Sequence, residues 1–99
     1  MSTVLSFATA QDPDGSLVLS AAGEIDMSNA AEFSTALDGA LAEAGAAPVV
    51  VDLTQVGYID SAGLAVVFPH LDRVRLVASA LLAPVLTVVG LDDVTTVRV

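Results

Sequence analysis

Hydrophobic positions along this chain change their spacing several times, and each change marks an element. Val4-Leu5-Ser6-Phe7-Ala8 reads as a first strand, and Asp12-Pro13-Asp14-Gly15 follows as a strong turn signal. Leu17-Val18-Leu19 returns as a second strand, which predicts a hairpin with a longer loop. Gly23-Glu24-Ile25-Asp26 closes that strand and leads to a helix. Ser28 or Asn29 is placed to cap the helix, and Glu32 adds negative charge near the positive end of its dipole. Ala30, Phe33, Leu37, Ala40, Leu41 and Ala44 then recur at helical spacing and define one face. Gly45 ends this helix and Pro48 reinforces the stop.

Val49–Leu53 is apolar almost throughout, as expected of a strand buried on both faces. A turn is expected next, before Tyr58 and Ile59 lead into Asp60-Ser61-Ala62-Gly63 and a second helix from Ser61 to about Asp72. Pro69 lies inside that segment and would cost roughly 3 kcal/mol in a helix interior, so this helix is expected to be short. Val74–Ala78 reads as another strand. Leu81–Val89 reads as a third helix ended by Gly90, against its valine content, and Val94–Val99 as a last short strand. Two strands followed by alternating helix and strand give an α/β fold, a mixed sheet with helices packed on it.

The chain has 99 residues and shows no repeat or low-complexity linker, so 1–99 is read as a single domain with one core. Apolar residues make up 55%, yet there is no Trp, three Phe and one Tyr. The core must therefore be built from Val, Leu, Ile and Ala, a mix that suits a packed α/β layer. Apolar runs are broken by Asp, Thr, Pro or Gly well before the roughly 20 residues a membrane span needs. Met1-Ser2-Thr3-Val4-Leu5 has neither the basic flank nor the apolar core of a signal peptide. The absence of cysteine removes disulfides, thiol catalysis and sulfur metal sites, and fits a reducing cytoplasm. The net charge of −9 sets twelve acids against Arg73, Arg75 and Arg98. Such a field repels phosphate backbones and anionic membranes, so neither nucleic acid nor a membrane is expected as a partner. The acids either keep an apolar domain dispersed or form a face for a basic protein.

The candidate chemistry centres on Ser61, a hydroxyl at the point where strand gives way to helix. A nucleophile elbow needs glycine two residues before and after the serine; Gly63 is present, but Ile59 occupies the other place. The only imidazole, His70, would lie roughly half a turn away on the same helix at about 100° per residue, facing away from Ser61. Hydrolysis is therefore disfavoured. Asp52, Asp60, Asp26 and Glu24 could meet at strand ends and bind a hard cation, but no spaced calcium loop contains them. No Gly-rich phosphate loop is present. Ser61 fits better as a helix cap or as a phosphate acceptor. Small residues at Ala62 and Gly63 leave its hydroxyl open to another protein, and phosphorylation would add charge at a helix start, where the dipole tolerates it. A partner that docks on the neutral hydroxyl would then be repelled.

Four blocks in order carry a resemblance: Gly23-Glu24-Ile25-Asp26, Val50-Val51-Asp52-Leu53, Tyr58-Ile59-Asp60-Ser61-Ala62-Gly63-Leu64 and Gly90-Leu91-Asp92. Over nearly its whole length the chain resembles the STAS domain, and within it the bacterial anti-sigma factor antagonists. The resemblance implies a small mixed sheet of about five strands with helices on one side, no cofactor and no catalysis of its own. It implies that Ser61 is phosphorylated by the partner anti-sigma factor, an ATP-dependent serine kinase. The unphosphorylated form binds that kinase and frees a sigma factor for transcription under stress, and a PP2C-type phosphatase restores the serine. Asp26 matches the family's loop acid near the phosphosite and Asp60 directly precedes it, so Glu24, Asp26, Asp60, Ala62 and Gly63 are the implied partner-binding residues. The segment after Leu64 is shorter than in relatives, and relatives commonly add a helix beyond the position of Val99. Missing helical cover predicts exposed apolar surface and self-association. The alternative is a STAS regulatory subunit of a transporter or signalling complex, with Ser61 acting only as a cap.

Overall fold

The structure, a computed structural model, describes residues 4–88 and 94–97. The first hairpin forms as the turn signal requires: β1 (Ser6–Gln11) and β2 (Leu17–Ile25) pair antiparallel from Ser6↔Ala22 to Gln11↔Leu17. In the turn, Gly15 takes φ 89° and donates to Asp12 O at 2.8 Å, while Asp14 Oδ1 accepts from Ser16 N at 2.9 Å. The chain continues through α1 (Ala30–Ala44), β3 (Val49–Ile59), α2 (Ser61–Val67), a single 3-10 turn at Phe68–His70, β4 (Val74–Ser79), α3 (Ala83–Val88) and β5 (Val94–Val97). The sheet order is β1-β2-β3-β4-β5; only the first pair is antiparallel, and the other strands run parallel. This is the mixed five-stranded sheet that the element pattern predicts.

The core lies between one face of the sheet and the helices. Leu17, Leu19 and Ala21 of β2, Val49, Val51 and Leu53 of β3, and Val74, Leu76 and Ala78 of β4 are buried against Phe33, Leu37, Ala40 and Leu41 of α1 and Leu64, Val67 and Leu86 of α2 and α3. Each such Leu, Val or Phe contributes roughly 1.5–3 kcal/mol by leaving water. The residues between them, Val18, Val50, Asp52 and Val77, are half-buried. This corrects the expectation that β3 is buried on both faces: the helices cover one face only, and the strand alternates accordingly.

β3 differs from expectation in length as well. It runs unbroken to Ile59, with no turn before Tyr58. Thr54 and Val56 are β-branched and continue the pleat. The mismatch in length against β2 is absorbed by irregularities at Ser20/Ala22 and Gly23/Glu24, where Gly23 takes φ 119°, open only to glycine without strain. α2 stops at Val67 because Pro69 cannot donate, so the predicted shortening is observed. β1 begins at Ser6 rather than Val4, and α3 begins at Ala83 rather than Leu81. Val89, the block Gly90-Leu91-Asp92, Arg98 and Val99 lie outside the described residues.

Candidate functional site

Strands β2, β3 and β4 are parallel, so the loops that follow them gather at one end of the sheet. Pairing of Glu24 with Tyr58 and Ile25 with Ile59 makes Asp26 and Asp60 leave neighbouring strands at the same level. The Asp60 N–H donates to Ile25 O at 3.1 Å, which extends the pairing by one residue. Its carboxylate then does two jobs. Oδ1 accepts from Ala62 N at 2.9 Å and Gly63 N at 3.1 Å, capping α2, and Oδ2 accepts from Met27 N at 3.1 Å in the loop after β2.

That loop is stitched by its own side chains. Asp26 Oδ1 accepts from Ser28 N at 2.9 Å and Ser28 Oγ at 2.5 Å. These bonds, the hydroxyl first, hold the Asp26 carboxyl below its usual value of 3.8, against a smaller upward push from desolvation. Asn29 occupies the cap position of α1 as predicted, but its side chain does not cap it. It reaches backwards: Oδ1 accepts from Asp26 N at 2.8 Å and Nδ2 donates to Glu24 O at 2.8 Å. The loop is therefore held by bonds within its own segment.

Ser61 is the first residue of α2, exposed, and its Oγ has no hydrogen-bond partner among the described residues. The cap role open to Ser61 in the sequence is taken by Asp60. Glu24 is exposed, while Asp26, Asp60 and Ala62 are half-buried beside it, so these predicted residues come together. Gly63 does not belong with them at the surface. It is buried, and a Cβ there would sit 2.7 Å from both Ile25 Cγ2 and Ile59 Cγ1. Glycine there lets α2 lie directly on the ends of β2 and β3.

Asp52 is not part of this end. It lies eight positions before Asp60 on β3, roughly 25 Å away along an extended strand, and its Oδ1 accepts from Thr54 N and Oγ1 at 2.9 and 2.6 Å. No group of three or more His, Asp or Glu side chains is placed to hold a metal among the described residues. His70 stands beyond α2, with Nε2 at 3.8 Å from Asp38 Oδ1 of α1, and so is no base for Ser61. Sequence reasoning missed Met27, Tyr58 and Leu81. They are 82%, 50% and 76% exposed and follow or precede the same strand ends, adding apolar contact area to an acidic surface. The signal was available for Met27, a large apolar residue in a polar loop. The site thus presents an exposed hydroxyl among several carboxylates.

The chain matches the family model described as Mlab, STAS domain over residues 8–96. No curated protein sequence matches it. Among solved structures it is similar to an anti-sigma factor antagonist from Mycobacterium paratuberculosis, at 25% identity over 93% of this chain and 86% of that one, with a TM-score of 0.80. It is similar in fold to the anti-sigma factor antagonist SpoIIAA in its unphosphorylated form, at 15% identity over 93% and 88% of the two chains, with a TM-score of 0.72. An antisigma-factor antagonist STAS domain from Rhodobacter sphaeroides shares the fold at 12% identity over 76% and 85%, with a TM-score of 0.57.

Proposed function

The chain belongs to the STAS-domain family, and from that premise we propose that it is a cytoplasmic anti-sigma factor antagonist switched by phosphorylation of Ser61. The observation that carries this reading is the division of labour between neighbours. Asp60 caps α2, which leaves the Ser61 hydroxyl exposed with no structural task. In its unphosphorylated form the chain docks an anti-sigma factor through Ser61, Ala62, Asp26, Glu24 and the rim of Met27 and Tyr58. Sigma-factor-dependent transcription is thereby released. The chain itself catalyses nothing.

The switch follows from charge. The anti-sigma kinase transfers the γ-phosphoryl group of ATP to Ser61 Oγ: an O–P bond forms, the bond to the bridging oxygen of ADP breaks, and the hydroxyl proton leaves. The product carries roughly 1.5–2 extra negative charges. Two of the N–H groups at the helix start, those of Ala62 and Gly63, already serve Asp60. The phosphate therefore stays at the surface, beside Asp60, Asp26 and Glu24, and repels what the hydroxyl received. The fold is left intact. A PP2C-type phosphatase reverses the step by delivering water to phosphorus and restoring the hydroxyl.

Affinity for the cognate anti-sigma kinase, measured by calorimetry with wild type, Ser61→Ala and Ser61→Asp, tests this reading. Binding by wild type and Ser61→Ala, with a loss of roughly tenfold or more in Ser61→Asp, supports it. Equal binding of all three would instead favour a STAS scaffold without a phosphoswitch.

A further inference from the structure

The edge of the sheet formed by β1 is open. Among the described residues only β2 pairs with it, so alternate N–H and C=O groups along Ser6–Gln11 face outwards. Edge strands are usually guarded by charge, proline or a bulge. Ser6-Phe7-Ala8-Thr9-Ala10-Gln11 carries no charge and no proline, and its register with β2 is unbroken.

A trough runs beside this edge. A cavity of about 570 Å³ bounded by Leu5, Phe7 and Glu32 meets another of about 270 Å³ bounded by Thr9, Leu19 and Glu43. Both are lined by Phe7, Thr35 and Ala36, so they form one groove between β1 and α1. Its floor is apolar: Phe7 stacks on the buried Phe33, with ring centroids 6.1 Å apart. Its two ends are acidic. Glu32 and Glu43 are exposed, share one face of α1, and lie roughly 16 Å apart at about 1.5 Å per residue.

We propose that this trough binds an extended, basic segment of a partner protein, which adds to β1 as a further strand. Outward backbone groups are matched only by extended backbone, and the alternate side chains of an added strand face the trough. Positions i and i+4 of that strand lie roughly 13 Å apart on one face. A lysine or arginine at each reaches Glu32 and Glu43, and an apolar side chain at i+2 sits over Phe7. A second copy of this chain is disfavoured as occupant, because its net charge of −9 would meet the same acidic ends. The site uses neither Ser61 nor its phosphate.

The probe is a fluorescent peptide with the core Lys-Thr-Leu-Thr-Lys, compared with the same peptide N-methylated on alternate amides and with an Asp-Thr-Leu-Thr-Asp version. The lysine peptide is expected to bind with perturbed amide resonances along β1 and α1, and the other two are expected to lose it. Gly39→Leu places an apolar side chain in the trough, from a position where a Cβ meets nothing within 4 Å. It should weaken binding by roughly tenfold or more, as should Glu32→Gln with Glu43→Gln, whereas Ser61→Ala should change nothing. Equal binding of the N-methylated peptide, or unchanged affinity in Gly39→Leu, contradicts the proposal. So does sedimentation as a dimer that Ala8→Lys dissolves, which would assign the edge to a second copy.

Discussion

Replacing Asp60 by alanine removes one carboxylate that starts α2 and ties it to the loop after β2. The cap on Ala62 N and Gly63 N is worth about 1 kcal/mol, within a usual range of roughly 0.5–2. The bond to Met27 N has a charged acceptor, which raises its worth, but Met27 is 82% exposed, which screens it; about 1 kcal/mol is a fair allowance. The total, about 2 kcal/mol, is a large part of the roughly 5–15 kcal/mol that holds such a domain together. For a domain of this size it lowers Tm by roughly 8–16 °C. Asp60→Asn keeps the Oδ1 acceptor and should recover most of the cap. Urea unfolding followed by far-ultraviolet circular dichroism gives the free energies, and amide exchange at Met27, Ala62 and Gly63 locates the loss. The reasoning fails if Asp60→Ala unfolds within about 0.5 kcal/mol of wild type, or if those amides keep their protection.

Three further outcomes are expected. Gly63→Ala presses a methyl group onto Ile25 Cγ2 and Ile59 Cγ1; overpacking costs roughly 1–3 kcal/mol and helix propensity returns about 1, so a net loss should appear in the same unfolding assay. Arg73 donates to Leu41 O at 3.1 Å and to Gly45 O, closing the C-terminus of α1; Arg73→Ala should cost about 1–2 kcal/mol, with exchange rising first in the last turn of α1. The Asp26 carboxyl should titrate below 3.8 by NMR, and Ser28→Ala should move it back up. Because the folded value is the lower one, the unfolded chain binds more protons in between. Asp26 thus contributes its full stabilisation above 3.8 and loses it as the pH falls through the folded value.

The order of elements was legible because periodicity and turn chemistry are local. The hairpin at Asp12–Gly15, the face of α1 and the early stop at Pro69 all came from residues close together in sequence. The length of β3 was not legible. Gln55 and Gly57 look like turn residues, and only pairing with β2, relieved at Gly23, keeps them in a strand. One-sided burial of β3 was hidden for the same reason, since Val50 is as apolar as Val51 and only the placement of helices separates them. At the site, the acids and Ser61 could be named from the motif. Their roles could not. Whether Gly63 serves access or packing depends on its contact with the distant Ile25, while which of Asp60 and Ser61 caps α2, and that Asn29 turns back to Glu24, are choices among neighbouring side chains that residue type alone leaves open. Arg73 as the closure of α1 gave no sequence signal at all, being 28 positions from Gly45.

The central claim is that the free hydroxyl at the start of α2 is a phosphate acceptor. The most direct measurement is mass-spectrometric mapping after incubation with the anti-sigma kinases of the same genome and ATP. The account predicts one phosphate on Ser61, absent in Ser61→Ala and removed by a PP2C-type phosphatase. Failure of every such kinase to label Ser61, or a label confined to another residue, would contradict it.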